Sequence, residues 1–284
     1  MKIEPLDLGR LKVLPLDRRQ HLTRADEILV EPESPTRDIS PRNVELLDAC
    51  AERIREARRR DASVMLIYGA HLLRNGAALI LERLFAGNWL THVATNGAGT
   101  IHDWEYAWYG ASTESVEMNV AQGTFGTWDE TSLHIHRALM VGALDGLGYG
   151  RSLGRYIWED GATIPSAKSL AEQIADAPAD RLASCRADLL RAIEERGWPA
   201  GRATVEHRWK RASILAQAYR HGVPVTVHPG IGYDIISNHP IFNGATIGRA
   251  GEWDFKLFGG SVEQLDGGVV LSVGSAIMGP QVFE

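Results

Sequence analysis

The segment Thr95-Asn96-Gly97-Ala98-Gly99-Thr100-Ile101-His102-Asp103-Trp104-Glu105 packs small residues, an amide, an imidazole and two carboxylates into eleven positions. Glycines after a strand let backbone N–H groups come close to a phosphate or ribose. A histidine titrates near neutrality and suits proton transfer. Three other stretches have the same character. They are Gly69-Ala70-His71, His228-Pro229-Gly230-Ile231-Gly232-Tyr233-Asp234 and Gly274-Ser275-Ala276. The candidate catalytic groups are His102, His228 and Asp234. The candidate nucleotide-binding residues are Gly69, Ala70, His71, Thr95, Asn96, Gly97, Ala98, Gly99, Asp103, Gly274, Ser275 and Ala276.

Other motifs point away from chemistry. His134 and His136 are two apart in a helical stretch, so their rings diverge by about 200° and cannot share a metal ion. His92 and His207 stand alone. Trp104, Tyr106, Trp108 and Tyr109 fit packing within a helix, or a pocket for a planar or cationic group. Cys50 and Cys185 lack a CxxC or a nearby histidine, so both read as buried small apolar residues, and no metal site is expected. The dinucleotide fingerprint GxGxxG, the GxSxG elbow and the Walker loop are not found.

The elements that must position these residues alternate. Apolar runs at 63–68, 91–95, 223–227 and 269–273 read as strands, and each meets a turn of small and polar residues, near 69, 96, 229 and 274. Ser40-Pro41 reads as an N-cap with proline at the first helical position, and the helix that follows ends in Arg58-Arg59-Arg60. Helical patterns cover 72–85, 129–147, 166–196 in two pieces broken near Pro178, 205–221 and 253–265. Short strand–helix–strand joins predict parallel strands. The fold expected is α/β: a parallel sheet flanked by helices on both faces, Rossmann-like, in a single nucleotide-binding domain over 1–284. Residues 1–39, with four prolines, read as an irregular N-terminal arm. In such a sheet ligands bind beyond the C-terminal strand ends, where all four turns lie.

The order of these motifs resembles that of deoxyhypusine synthase. Tyr68-Gly69-Ala70-His71-Leu72-Leu73-Arg74-Asn75-Gly76 stands where that family has a strand and a Thr-Ser-Asn turn. Thr95–Gly99 with Ile101-His102-Asp103 stands where it has a Thr-Thr-Ala-Gly-Gly turn and an acidic run. Pro229 and Gly230–Asp234 fall in the place of its Asp-Gly-Ser-x-Gly-Asp, and Val269–Ala276 in that of its last strand and turn. The resemblance spans roughly residues 40–284. It implies an NAD-binding domain, a homotetramer with pockets between subunits, and chemistry on an amine. Ile101 and His102 replace two pocket acids of the family. Its catalytic lysine lies beyond the last glycine turn, and this chain reaches Glu284 without one; Lys256 precedes that turn. The expectation is a protein that binds NAD but does not form deoxyhypusine.

Composition agrees with an enzyme acting on a small molecule. Apolar residues make up 44% and charged residues 23% of 284, with a net charge of −6. That balance argues against a nucleic-acid partner and suits a cationic substrate. The N-terminus has no apolar signal core and no window is long enough to span a membrane, so the expected location is cytoplasmic. The leading reading is an NAD-dependent enzyme acting on an amine or amino acid. The alternatives are a nucleotide-binding module without catalysis, and a metal-dependent hydrolase built on His71, His102, Asp103 and His228.

Overall fold

In a computed structural model, which describes residues 3–36, 38–232 and 234–275, the N-terminal arm lies along the body of its own chain. Two 3-10 turns, Leu8–Arg10 and Leu16–Arg18, lead to β1 (Thr23–Arg24) and the single turn α1 (Ala25–Ile28). β1 pairs antiparallel with β4 (Ala111–Ser112). Leu16 is fully buried in the main core, so the arm is part of the packing.

α2 (Pro41–Arg59) begins as its sequence requires: Ser40 Oγ accepts the N–H of Asn43, and Pro41 occupies the first turn. β2 (Val64–Tyr68) and β3 (His92–Asn96) are buried along their whole length, the mark of interior parallel strands. α3 (Ala70–Arg74) and α4 (Ala78–Ala86) connect them. After β3 the chain runs through α5 (Gly97–Tyr109), β4, α6 (Val116–Gln122), α7 (Asp129–Ala143) and α8 (Tyr149–Trp158). A hairpin of β5 (Gly161–Ile164) and β6 (Gly201–Thr204) encloses α9 (Ala167–Asp176) and α10 (Ala183–Arg196). α11 (Ile214–His221) precedes β7 (Val225–His228), and α12 (Gly244–Val262) precedes β8 (Val269–Val273).

The main sheet is parallel, with strand order β7-β3-β2-β8. Successive side chains of a strand face opposite ways. Val64, Leu66, Val93 and Val227 join the core formed with α4, α8 and α11. The alternate residues His92 and His228 meet Phe258 of α12, so helices cover both faces. A second cluster under the hairpin joins Met140, Leu170, Leu189, Ile193 and Trp198.

The expected fold is therefore the observed one, with local corrections. Gly97-Ala98-Gly99 is not a loop; it is the first turn of α5, capped by Asn96 Oδ1, which accepts the Gly99 N–H. Ala70-His71 is likewise the first turn of α3. The helix expected over 205–221 begins only at Ile214: Gly201–Thr204 pairs with Gly161–Ile164, and a turn and the 3-10 turn Lys210–Ala212 intervene before the Ser213 cap. The last helix starts at Gly244 rather than 253, capped by Asn243.

Candidate active site

Beyond the C-terminal end of β3 opens a cavity of about 440 Å³, within the usual range for small-molecule and cofactor sites. Asn96, Ala98, Ile101 and His102 approach from β3 and α5, and Asp234 from the segment after β7. Arg19 of the arm, Arg74 of α3, and Thr113 and Glu114 after β4 complete its polar lining. Thr113 holds φ at 64°, costly for a β-branched residue, and its Oγ1 lies 3.0 Å from Thr23 Oγ1.

His102 belongs to a chain of hydrogen bonds. Its Nδ1 lies 2.7 Å from Ser112 Oγ, and Ser112 Oγ donates to Glu105 Oε2 at 2.5 Å. Glu105 also accepts two bonds from Arg19, at 2.8 and 2.6 Å, and one from Thr131 Oγ1 at 2.9 Å. Burial works against ionising Glu105, but the Arg19 guanidinium wins and holds the carboxyl below its ordinary range. His102 goes the other way. Burial, reinforced by Arg74, Arg19 and His71 and only partly offset by Glu105, lowers it to about 4, so it is neutral at pH 7.

Glu114 accepts from Trp128 Nε1 at 2.9 Å and Asn119 Nδ2 at 2.5 Å, with Arg19 3.9 Å away. Asp234 accepts the Gly230 N–H at 2.7 Å through Oδ2; burial raises its carboxyl and that bond offsets part of the rise. Among the described residues Arg74 makes no ion pair, leaving an uncommitted cation at the cavity.

The expected nucleotide-binding turns gather at one edge of the sheet but do not all reach this cavity. Gly69 and Gly274 meet where the strand order changes direction, between β2 and β8. A Cβ on Gly69 would collide with Gly274 O and come within 2.9 Å of Ser275 Cβ. Gly274 has φ +71°, and a Cβ there would stand 3.0 Å from Leu72 N, over the first turn of α3. Ala276 lies outside the described residues. Thr95 Oγ1 bonds the Tyr68 carbonyl and packs against Gly99, a structural task. Gly97 is pressed against the Asp234 carboxylate.

Two expectations need correction. Asp103 does not face a ligand. It is fully buried and caps α11, accepting from Ser213 Oγ, from Ile214 N at 2.7 Å and from Leu215 N at 3.3 Å. Burial pushes it up to about 7 despite these bonds. His228 does not line the cavity. Its ring lies edge-on to Phe258 at 5.1 Å and 3.1 Å from Thr226 Oγ1, on the α12 side of the sheet. With Asp103 turned to α11, the set His71, His102, Asp103 and His228 is not assembled. Among the described residues no cluster of three histidine, cysteine or carboxylate side chains could hold a metal ion.

Arg19, Arg74, Ser112 and Glu114 were not singled out by sequence. Arg19 and Glu105 are 86 positions apart, and nothing in either neighbourhood signals the pairing. Among the described residues no helix is long and apolar enough to cross a membrane.

No protein-family model and no curated protein sequence matches the chain. Solved structures match it loosely. The arginine dihydrolase ArgZ from the ornithine–ammonia cycle in cyanobacteria, in its apo form, is 14% identical, with a TM-score of 0.41 over 84% of this chain and 25% of that one. AgrE in ternary complex with ornithine and NAD+ is 15% identical, with a TM-score of 0.39 over 84% and 26%. A conserved putative LOR/SDH protein from Methanococcus maripaludis S2 is 15% identical, with a TM-score of 0.31 over 71% and 45%. The chain spans about a quarter of the length of the first two structures.

Proposed function

We propose that this chain is an NAD-dependent enzyme acting on a small amino acid or amine held in the cavity beyond β3. The observation that carries the reading is the cavity itself. It sits at the C-terminal edge of a parallel sheet and offers an uncommitted guanidinium (Arg74), a partly free carboxylate (Asp234) and a neutral imidazole (His102). A substrate carboxylate pairs with Arg74, its ammonium with Asp234, and His102 moves the proton.

The residues present fit NAD. In an open parallel sheet the dinucleotide crosses the point where strand order reverses, here between β2 and β8. Gly274 comes so close to the first turn of α3 that a Cβ would stand 3.0 Å from Leu72 N; that N–H is spent on Gly69 O, and the Ala70 and His71 N–H groups, unbonded among the described residues, are the ones left to meet a pyrophosphate. Asn96 spends its Oδ1 on capping α5, so its Nδ2 remains to donate to a ribose hydroxyl. NAD, when bound, supplies a hydride acceptor. The rest of the work falls to the protein: Arg74 and Asp234 orient the substrate, Ile101, Val116, Phe125 and Ile235 exclude water, and His102 holds or takes the proton.

The kinship with deoxyhypusine synthase belongs to the same proposal, without its lysine chemistry. None of the described lysines lines the cavity. Lys210 is paired with Asp160 at 2.6 Å, Lys256 with Glu252 at 2.5 Å and Lys168 with Glu172 at 3.8 Å. We extend the reading to a single domain and a homotetramer. Trp253, Phe255, Leu257 and Val262 of α12, with Val270 and Val273 of β8, leave apolar surface exposed on the described chain.

The test is substrate turnover by NAD-loaded protein, screened across amino acids and polyamines by NADH absorbance. Arg74→Ala then raises KM for the active amino acid by roughly 10–100-fold, the cost of a lost charged hydrogen bond. Binding of NAD without turnover of any amine or amino acid, or an unchanged KM in that variant, contradicts the proposal.

A further inference from the structure

We infer that Glu105, acting through Ser112, locks His102 in the Nδ1–H tautomer and thereby presents its Nε2 lone pair as the proton acceptor of the cavity. The catalytic half of this rests on the proposed function; the tautomer does not.

Counting protons fixes the tautomer. Glu105 is ionised and can only accept. Its four partners, two from Arg19 and one each from Thr131 and Ser112, surround the carboxylate. Ser112 has one hydroxyl proton, and at 2.5 Å from Glu105 Oε2 that proton is committed to the carboxylate. Ser112 Oγ can then only accept from the atom 2.7 Å away, His102 Nδ1, which must carry a proton. His102 is neutral, so its remaining nitrogen, Nε2, is the unprotonated one. Among the described residues Nε2 makes no hydrogen bond, and the side chain lines the cavity.

Helix geometry makes the chain continuous. His102 and Glu105 are three apart on α5, so they share a face, and Ser112 returns to that face from the strand after the helix. Ser112, Glu105 and Arg19 are buried, which excludes water as a competing partner.

In the reaction, Nε2 takes a proton from the bound substrate and the bonding electron pair stays on the substrate atom. The imidazolium that forms faces Glu105 across Ser112, which stabilises it, and Arg74, Arg19 and His71, which oppose it. The proton is therefore held weakly and returned readily. Ser112 and Glu105 are positioning residues; His102 is the group that meets substrate.

Ring-nitrogen NMR on uniformly 15N-labelled protein reads the tautomer directly, with His102→Gln identifying which of the ten histidines is His102. The wild type should show Nδ1 protonated and Nε2 unprotonated, unchanged from pH 5.5 to 8. Ser112→Ala should shift His102 toward the Nε2–H form, and Ser112→Thr, which keeps the hydroxyl, should restore it. A wild-type His102 in the Nε2–H form overturns the inference, and that measurement stands even if Ser112→Ala fails to fold. An unchanged tautomer in folded Ser112→Ala overturns it as well. Calorimetry with NAD on the same samples separates the two ideas. Wild-type protein that fails to bind NAD sinks the proposed function and leaves the tautomer assignment intact.

Discussion

Two acids of α5 placed only two positions apart have unrelated tasks. Asp103 and Glu105 point about 200° apart on a helix, so one reaches α11 and the other Arg19. Asp103→Ala strips one hydroxyl and two N–H groups of their acceptor. It should destabilise the fold by about 3 kcal/mol, in line with the usual cost of orphaned buried donors, and leave NAD affinity unchanged. Denaturant unfolding and calorimetry on the same variant check both halves. His102→Gln should do the reverse: stability within about 1 kcal/mol, NAD affinity retained, and turnover down by roughly 100–10,000-fold, the range for a general base. Reading this stretch as a glycine turn hid the division; once residues 102–105 are helical, His102 and Glu105, three apart, share a face and Asp103 lies on another.

The four strands were legible because each is a short β-prone run closed by glycine or proline; β2 and β3 are the interior pair, and β7 and β8 flank them at the edges. What stayed hidden depends on pairing between distant segments. The hairpin of β5 and β6 joins residues about forty positions apart, and that pairing leaves no mark in the periodicity of either segment. The arm's delivery of Arg19 to Glu105 is of the same kind. At this scale the sharpest prediction concerns the join between β2 and β8. Gly69→Ala places a methyl group into Gly274 O and against Ser275. It should lower stability by about 1–3 kcal/mol, as overpacking does, and weaken NAD binding at least tenfold. A Gly69→Ala protein with wild-type affinity for NAD, measured by calorimetry, would remove the switch point from the account.

Six histidines give the molecule as a whole its response to acid. His92, His102, His136, His207 and His228 are lowered to about 4 and His134 to about 3, each chiefly by burial. An unfolded chain protonates them near pH 6.5, so between there and pH 4 the unfolded state binds more protons and stability rises with pH. Asp103 and Asp254, raised to about 7 by burial, and Asp234, which burial also raises, act in the opposite sense, but they are three against six. Stability should therefore fall steeply as pH drops from 6.5 to 4, with net proton uptake on unfolding. Thermal melts across that range check it; a pH-independent midpoint would contradict it. Light scattering at micromolar concentration should give four times the chain mass, as expected of a homotetramer, and a monomer would contradict that assembly.

The central claim is a cavity that works beside NAD, and isothermal titration of the wild-type protein with NAD tests it most directly. The account predicts saturable binding of one NAD per chain, weakened at least tenfold by Gly274→Val, which puts a β-branched residue at φ +71° with its Cβ 3.0 Å from Leu72 N and so displaces the turn against α3. No heat of binding, or equal affinity in the folded variant, would contradict it.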